Sequence, residues 1–332
     1  MTGLLNESTG AAHAAVLGLG AYRPRRVVPN SEILEHIDSS DEWIQTRSGI
    51  KERRWAEPDE TVLMMSTNAA KDALVDSGID PAQIGCVIVA TVTHLYQTPA
   101  IATQLAVAVG APTAAAFDIS AACAGFCYGI SMANDMIRGG SAKYVLVIGV
   151  ERLSDITDRT DRGTAFIFAD GAGAAVVGPS DQTGIGPVVW GSDGTQHYVI
   201  SQKESWQEAA GSSNWPHLRM DGNPVFRWAS FEMAKTAQQA LDVAGVKAED
   251  LDLFVPHQAN MRITDAMRRA LKLPEAVKVA RDIERQGNTS AASIPLAITA
   301  MRESGEARSG DLALIIGFGA GLVFAAQVIR LP

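Results

Sequence analysis

The sequence repeats itself at about half its length, and this duplication limits the folds open to it. The stretch ALVDSGIDPAQIGCVIVA (73–90) resembles ALDVAGVKAEDLDLFVPH (240–257) at an offset of 167 residues. SAKYVLVIGVE (141–151) resembles SGDLALIIGFG (309–319) at an offset of 168. Both stretches of the first pair have the pattern of a helix end, a glycine turn and an apolar strand. Both stretches of the second pair have the pattern of an apolar strand. Self-similarity of this kind predicts two copies of one structural unit.

A third pair of similar stretches lies between the first two. FDISAACAG (117–125) and ARDIERQGNTSAAS (280–293) both contain Asp-Ile followed by small residues that open a helix. The strands VIVATV and YVLVIGV are continuously apolar, as expected of parallel strands covered on both faces. We therefore predict a layered α/β fold with mostly parallel sheets, divided into halves 1–180 and 181–332. The segment 191–225 has little periodicity and is predicted to be an insertion or a long functional loop.

Composition and charge exclude several classes of protein. The 332 residues carry a net charge of −9, which argues against a nucleic-acid partner. No apolar run approaches the roughly 18 to 20 residues of a membrane-spanning helix, and the first residues lack the pattern of a signal peptide. Three cysteines cannot form a complete disulfide framework and suit a reducing compartment. We expect a cytoplasmic protein with no membrane partner, no metal and no bound cofactor.

Two of the three cysteines lie in DISAACAGFCYGI, residues 118 to 130. Cys123 follows a predicted strand and opens a helix that continues to about Arg138, so the helix dipole should lower the pKa of its thiol and favour the thiolate. Cys127, between Phe and Tyr, has the surroundings of a packing residue, and Cys86 lies within a strand. From the local sequence alone, an inert buried cysteine remains the more common interpretation of Cys123 as well.

The second half supplies candidate partners for a nucleophile. His257 in VPHQAN stands where an apolar strand ends, and Asn288 in QGNTSAASIP precedes a helix. If the two halves face each other, their equivalent strand ends and loops meet at one cleft. By itself, a histidine at a strand end is more often structural, and Asn288 as a turn residue needs no function. Their matching positions favour a shared site with Cys123.

These residues carry a resemblance that covers almost the whole chain. Cys123 in DISAACAGF, His257 in VPHQAN and Asn288 in GNTSAASIP resemble the Cys-His-Asn set of the β-ketoacyl-acyl-carrier-protein synthase III family. The segments DSSDEWIQTRSGIKERR (38–54) and DRGTAFIFADGAGAAVV (161–177) are also similar to family segments. The resemblance implies a thiolase-like fold of five layers (αβαβα), usually as a homodimer, and an acyltransferase that initiates type II fatty acid synthesis.

The resemblance also implies the roles of the catalytic residues. Cys123 would take an acyl group from an acyl-CoA, because a thiolate exchanges thioesters readily. Malonyl on the acyl carrier protein (ACP) would then lose CO2, and the resulting carbanion would attack the acyl-cysteine. His257 and Asn288 would donate hydrogen bonds to the malonyl thioester oxygen as negative charge develops there. The backbone N–H groups of Cys123 and Ala320 would form a second oxyanion hole.

The substrate contacts implied by the resemblance are less specific. Trp43 and Arg162 would enclose the adenine of coenzyme A, with Arg47 reaching a phosphate. A core tryptophan beside two surface arginines is the structural alternative. The residues expected to contact the carrier protein are Gln258, Arg262, Arg269 and Lys272, for which a solvated helix face is the alternative.

Thr98 stands where some family members carry a bulky aromatic residue at the end of the acyl pocket, contributed by the partner subunit. A smaller side chain there predicts that branched or longer starters are accepted.

Rival functions explain fewer features. GLGAYR (18–23) imitates part of a dinucleotide-binding motif, but Arg23 replaces the third glycine. A degradative thiolase would carry a second catalytic cysteine in the C-terminal half, where this chain has none, and a non-catalytic partner subunit would lack Cys123. A related synthase that loads starter units for polyketide synthesis remains the open alternative.

Overall fold

The computed structural model describes residues 5–332, which form two five-stranded sheets and two short hairpins. The strands are β1 (His13–Tyr22), β2 (Arg26–Pro29), β3 (Glu52–Trp55), β4 (Ile84–Ala90), β5 (Ala115–Ile119), β6 (Tyr144–Arg152), β7 (Asp170–Ser180), β8 (Val189–Ser192), β9 (Ile200–Gln202), β10 (Leu218–Met220), β11 (Leu253–Pro256), β12 (Lys278–Val279), β13 (Leu312–Gly319) and β14 (Val323–Arg330). The helices are α1 (Asn30–Ile33), α2 (Asp41–Ser48), α3 (Val62–Ser77), α4 (Ile101–Val109), α5 (Gly125–Gly139), α6 (Trp206–Ala210), α7 (Gly222–Ala244), α8 (Met261–Ala270), α9 (Ile283–Gln286) and α10 (Ser293–Glu303).

The two large sheets have equivalent strand orders. The N-terminal sheet runs β1-β7-β6-β4-β5 and the C-terminal sheet runs β8-β14-β13-β11-β12. In the N-terminal sheet β4, β5 and β6 are parallel to one another, while β7 and β1 join by antiparallel pairing. In the C-terminal sheet β11, β12 and β13 are parallel, while β14 and β8 join by antiparallel pairing. The duplicated, layered α/β architecture predicted from the repeats is confirmed. The prediction that the sheets are mostly parallel is wrong, because half of the strand pairings in each sheet are antiparallel.

Helices fill the space between the sheets and cover their outer faces. The first residues of α5 and α10, Gly125 and Ser293, are 168 residues apart, which is the offset of the repeat. Both helices pack with both sheets in one apolar core. Helices α3 and α4 cover the outside of the N-terminal sheet, and α7 and α8 cover the outside of the C-terminal sheet. The result is a five-layer stack, and the central layer holds the helix N-termini where chemistry was predicted.

Two glycines at matching positions let the halves approach closely. A Cβ atom on Gly149 in β6 would overlap the carbonyl oxygen of Ala291. A Cβ atom on Gly317 in β13, again 168 residues later, would lie 2.8 Å from the carbonyl oxygen of Cys123. The turn that begins the central helix of each half therefore rests directly on the central strand of the other half.

Polar side chains reinforce this contact between the halves. The guanidinium of Arg23 donates to Asp282, Gln286 and the carbonyl oxygen of Leu296 at 2.8 to 3.0 Å. This explains why arginine stands where a dinucleotide-binding motif would require glycine. Gly20 lies against the backbone of α3, so the glycines of GLGAYR serve helix packing within an antiparallel strand.

A buried arginine supports the segment 166–169, whose backbone hydrogen-bonds to that of Asn288. Arg53 is fully buried and donates to Asn30 Oδ1 at 2.7 Å and to the carbonyl oxygens of Val28 and Phe166 at 3.1 and 2.8 Å. Burial lowers the pKa of its guanidinium to about 10. Because these acceptors would be left unpaired without it, Arg53 fixes the hairpin of β2 and β3 against the chain near Phe166.

The segment 191–225, predicted to be an insertion or a long loop, is partly regular. It contains the hairpin of β9 and β10. Helix α6 lies between these strands, and a capping box of Ser205 and Glu208 caps its N-terminus. Trp206 and Trp215 pack edge to face with ring centroids 5.4 Å apart. No helix within residues 5–332 combines the length and the apolar character needed to cross a membrane.

The contact at Gly149 predicts a large effect of a single methyl group. Gly149→Ala should lower the free energy of unfolding by about 3 kcal/mol or more, because backbone atoms of the opposite half cannot move aside as a side chain could. Gly139→Ala is the matched control, since its added Cβ atom meets no heavy atom within 4 Å. That control should be neutral or stabilising by up to about 1 kcal/mol. Thermal and urea unfolding measure both, and equal stability of the two variants would contradict the close approach.

Candidate active site

A cavity of about 1100 Å³ opens between the halves and collects most of the predicted residues. Its wall includes Cys123 from the N-terminal half and His257, Asn288 and Ala320 from the C-terminal half. Apolar residues of β10, α7 and the segment near Phe166 complete the wall. The structure therefore brings the three candidate catalytic side chains to the wall of one cavity.

Cys123 lies on a tight turn that leads into α5. The turn Ala122–Ala124 is a 3-10 helix, and Ala122 has a left-handed φ of 42°. Gly319 faces the sulfur closely, because a Cβ atom added there would lie 2.9 Å from Cys123 Sγ. Cys123 is partly exposed to the cavity, whereas Cys86 and Cys127 are buried. The interpretation of Cys127 as a packing residue fits its place in the core between the sheets.

The prediction that the helix N-terminus favours the thiolate is wrong for the free protein. Burial raises the pKa of the Cys123 thiol to about 12, and the negative charge of Glu151 raises it further. The Ser290 hydroxyl lies near the sulfur and only partly offsets these effects. Desolvation thus acts against the thiolate that the helix start predicted.

His257 follows the last residue of β11, and its backbone N–H donates to the carbonyl oxygen of Ile316 at 2.7 Å. The imidazole packs edge to face on Phe318 with ring centroids 5.5 Å apart. Its Nδ1 atom lies 2.7 Å from the Ser293 hydroxyl oxygen. Burial lowers the pKa of the ring to about 3, so His257 is neutral at physiological pH.

Asn288 is held by its backbone and by one side of its amide. Its N–H donates to the carbonyl oxygen of Ile167, and its own carbonyl oxygen accepts from Ala169 N, both at 2.9 Å. Oδ1 accepts from the backbone N–H of Ser290 at 2.9 Å. A backbone N–H requires an acceptor, so this bond fixes the amide orientation and leaves Nδ2 as the donor at the cavity wall.

The two predicted oxyanion donors also line this cavity. Strand β13 ends at Gly319, and Ala320 begins the turn that follows. Because Gly319 has no side chain, the turn lies directly against Cys123.

The residues predicted to hold coenzyme A gather around one indole ring. Trp43 is half-buried, and the guanidinium groups of Arg162 and Arg47 lie 4.8 and 5.6 Å from its ring centroid. Trp43 and Arg47 line the cavity, and the Phe166 and Trp43 rings pack edge to face with centroids 5.4 Å apart. Arg162 therefore covers one face of the indole ring, and a base could stack on that face only after Arg162 had moved.

The predicted carrier-protein contacts divide into exposed and buried residues. Arg262, Arg269 and Lys272 are exposed on α8 and just beyond it, and the guanidinium of Arg262 lies 4.8 Å from the Phe226 ring centroid at the cavity wall. Gln258 is 1% exposed. Its amide donates to the carbonyl oxygen of Pro256 at 2.8 Å and accepts from Ile283 N at 3.2 Å. The prediction that Gln258 contacts the carrier protein is therefore wrong, because its side chain is used inside the fold.

Thr98 is exposed and does not line the cavity of its own chain. Its neighbours Leu95, Tyr96 and Gln97 do line the cavity. The role of Thr98 at the end of an acyl pocket was assigned across a subunit interface, so it stays a prediction.

Sequence reasoning missed a buried acid behind the nucleophile. Glu151 is the second-last residue of the apolar strand β6, and its Oε2 accepts from Thr93 Oγ1 at 2.7 Å and from Val92 N at 3.1 Å. Burial raises the pKa of this carboxyl group to about 7. The equivalent position 168 residues later is Gly319, so a position-by-position comparison of the repeats would have found it.

Comparisons with known proteins identify the family. Family models described as 3-oxoacyl-[acyl-carrier-protein (ACP)] synthase III and its C-terminal part match residues 117–194 and 241–331. The chain is 59% identical to β-ketoacyl-[acyl-carrier-protein] synthase III 1 of Streptomyces coelicolor, with 99% of each chain covered. It is 60% identical to β-ketoacyl-[acyl-carrier-protein] synthase III of Streptomyces glaucescens, again with 99% of each covered.

Solved structures agree over nearly the whole chain. The priming β-ketosynthase from the R1128 polyketide biosynthetic pathway superposes with a TM-score of 0.96 at 48% identity, with 99% of each chain covered. The 3-oxoacyl-[acyl-carrier-protein] synthase III from Aquifex aeolicus superposes with a TM-score of 0.89 at 38% identity, covering 96% of this chain and 99% of that one. The chain therefore belongs to the β-ketoacyl-acyl-carrier-protein synthase III family, condensing enzymes that transfer acyl groups.

Proposed function

We propose that this chain condenses an acyl-CoA starter with malonyl-ACP through an acyl-Cys123 intermediate, which gives 3-oxoacyl-ACP, CoA and CO2. The observation that carries the proposal is the meeting of Cys123, His257 and Asn288 at the wall of one cavity. A thiol beside two neutral hydrogen-bond donors fits an acyl transfer followed by a carbanion attack.

In the first half-reaction the Cys123 sulfur attacks the thioester carbonyl carbon of acyl-CoA. The new S–C bond forms, the old one breaks, and the thiol proton leaves with CoA as its own thiol. The backbone N–H groups of Cys123 and Ala320 stabilise the tetrahedral oxyanion. Since exchange between thioesters is nearly isoenergetic, the enzyme stores the acyl group without a large energetic loss.

In the second half-reaction malonyl-ACP loses CO2, and the electron pair of the broken C–C bond passes to the thioester as an enolate. Asn288 Nδ2 and the His257 ring donate hydrogen bonds to the enolate oxygen. The carbanion carbon then attacks acyl-Cys123 and expels the cysteine thiolate. Both donors are neutral and enclosed, so they stabilise developing charge strongly in a low local dielectric.

We also propose the substrate contacts and the division of the chain. Trp43, Arg47 and Arg162 hold the nucleotide end of CoA once Arg162 has moved. Residues 1–180 and 181–332 are the two copies of the repeat, since β7 ends at Ser180 and β8 belongs to the second sheet.

A homodimer is the assembly we propose. Strand β5 forms an edge of the N-terminal sheet, and its backbone can pair with a second copy of itself. Sedimentation velocity of the purified protein tests this state.

The cytoplasm is the compartment we propose, because the three free thiols fit a reducing environment.

A polyketide pathway is the second candidate setting. It is favoured by the TM-score of 0.96 with the R1128 priming β-ketosynthase. The chemistry proposed for Cys123 is the same in both settings, and the acceptor carrier protein distinguishes them. Assays with the carrier proteins of both pathways therefore decide between fatty acid and polyketide initiation.

The acyl-enzyme should be trapped on one cysteine. Incubation with labelled acyl-CoA should label wild type and Cys127→Ala but leave Cys123→Ala unlabelled. No Lys or Arg lies between residues 72 and 137, so one tryptic peptide contains all three cysteines and the variants assign the label. Intact-protein and peptide mass spectrometry give the readout. Label retained in Cys123→Ala would overturn the assignment of the nucleophile.

The donor role of Asn288 should separate the two half-reactions. Asn288→Ala should form acyl-Cys123 at nearly the wild-type rate, but its condensation rate should fall about 10²- to 10³-fold. Asn288→Asp is nearly isosteric and lacks the Nδ2 donor, so it should lose condensation as well. Measuring both half-reactions on each variant provides an internal control for folding. Equal loss of acyl transfer and condensation would contradict the proposed division of labour.

The exposed cations of α8 should serve the carrier protein selectively. Arg269→Glu should raise the KM for malonyl-ACP about 3- to 10-fold, more at low salt, because it reverses an attraction to an acidic partner. The KM for acyl-CoA should not change. Lys71→Glu on α3, outside the cavity wall, is the control with the same charge change. An equal effect of the two substitutions would point to net charge rather than docking.

A further inference from the structure

Ser293 lies directly beside His257, although the chemistry described above assigns it no role. It is the first residue of α10, and both side chains are buried, at 1% and 2% exposure. The Ser293 hydroxyl oxygen is 2.7 Å from His257 Nδ1. The backbone N–H of Gln258 lies 3.3 Å from the same oxygen.

Only one of these two hydrogen bonds has a direction fixed by its groups, since the roles of Ser293 and His257 depend on the tautomer of the ring. A backbone N–H can only donate, so the Gln258 N–H occupies one of the two lone pairs of the Ser293 oxygen. The hydroxyl proton is not used by that bond, and His257 Nδ1 lies within hydrogen-bond distance to accept it. A neutral imidazole that accepts at Nδ1 carries its proton on Nε2.

The tautomer decides whether His257 can act as a donor. Burial lowers the pKa of the ring to about 3, so the imidazolium form, which would donate from both nitrogens, is not populated at physiological pH. Of the two neutral tautomers, only the one with a proton on Nε2 leaves a donor on the nitrogen that Ser293 does not occupy. A ring with its proton on Nδ1 would present a lone pair to the developing enolate.

The repeat supports a functional origin for this pair. The positions equivalent to His257 and Ser293 in the first half are Ala90 and Gly125, at the repeat offsets of 167 and 168 residues. A Cβ atom on Gly125 would lie 2.6 Å from the Ala90 Cβ atom, so the two positions also touch in the first half. The fold needs only a close contact at this place. An imidazole and a hydroxyl occur there only in the half that supplies the donor.

We propose that Ser293 is a positioning residue that holds His257 in its Nε2–H tautomer and so keeps a neutral donor available for the enolate oxygen. The proposal rests on the function proposed above. It assigns Ser293 to the condensation step and not to the formation of acyl-Cys123.

Ser293→Ala tests this role, with Thr299→Val as a control on the same helix. Thr299 is buried, and its hydroxyl donates only to the carbonyl oxygens of Pro295 and Leu296, among the residues described. Ser293→Ala should lower kcat for condensation about 10- to 100-fold, while the KM for malonyl-ACP and the rate of acyl transfer stay within about twofold. Thr299→Val should leave both half-reactions unchanged.

Nitrogen NMR provides a readout that does not depend on activity. In protein labelled with 15N-histidine, the resonances of His257 are assigned by their loss in His257→Asn. Wild type should show a protonated Nε2 and an unprotonated Nδ1, and Ser293→Ala should show a mixture of both tautomers. A wild-type ring protonated on Nδ1 would overturn the proposal, and this measurement decides even if Ser293→Ala fails to fold.

Two kinetic results would also overturn the positioning role. One is normal condensation by folded Ser293→Ala with a single Nε2–H tautomer. The other is an equal loss of both half-reactions, which a purely structural contact would produce. Failure of the proposed function would look different, because wild type itself would then form no 3-oxoacyl product while its tautomer could still be measured.

Discussion

The site depends on a backbone contact between the two halves. Gly149 and Gly317 leave the central strand of each half bare, and the turn that begins the central helix of the other half rests there. One of these turns carries Cys123, and the other follows Asn288. Because backbone packs on backbone, the main chains that carry Cys123 and Asn288 are held firmly against each other. Such fixed placement is what stabilisation of a developing charge requires, since no reorganisation is then needed during the reaction.

Burial gives this site its electrostatic character. The Cys123 thiol and the His257 ring are both neutral in the free protein, since burial raises the pKa of the first and lowers that of the second. We propose that an enolate formed here meets two neutral donors, His257 and Asn288, whose side chains are 2% and 6% exposed. The same low dielectric that disfavours a resting thiolate strengthens each hydrogen bond to the enolate oxygen.

Much of the fold and the three catalytic candidates could be predicted from the sequence, because the repeat places strand ends and helix starts at matching positions. The antiparallel strands could not, since the repeat does not determine strand order. The prediction for Gln258 failed because a polar residue beside the site was assumed to face solvent. Its amide instead pairs the buried backbone groups of Pro256 and Ile283. The prediction of a low thiol pKa at Cys123 failed because the sequence reveals a helix start but not the burial of the sulfur, which raises that pKa.

Equivalent positions of the two halves carry side chains of different size, and this difference makes room for the site. Cys123 corresponds to Ala291, which packs against Gly149, and Glu151 corresponds to Gly319, which faces the Cys123 sulfur. A functional side chain on one half thus faces a small residue on the other, because two large side chains would not fit where the halves touch. The symmetric packing of the two halves forms the cleft, and the positions that differ between the halves supply its functional side chains. The same reasoning applies to Ser293, whose hydroxyl stands where the first half tolerates only glycine against Ala90.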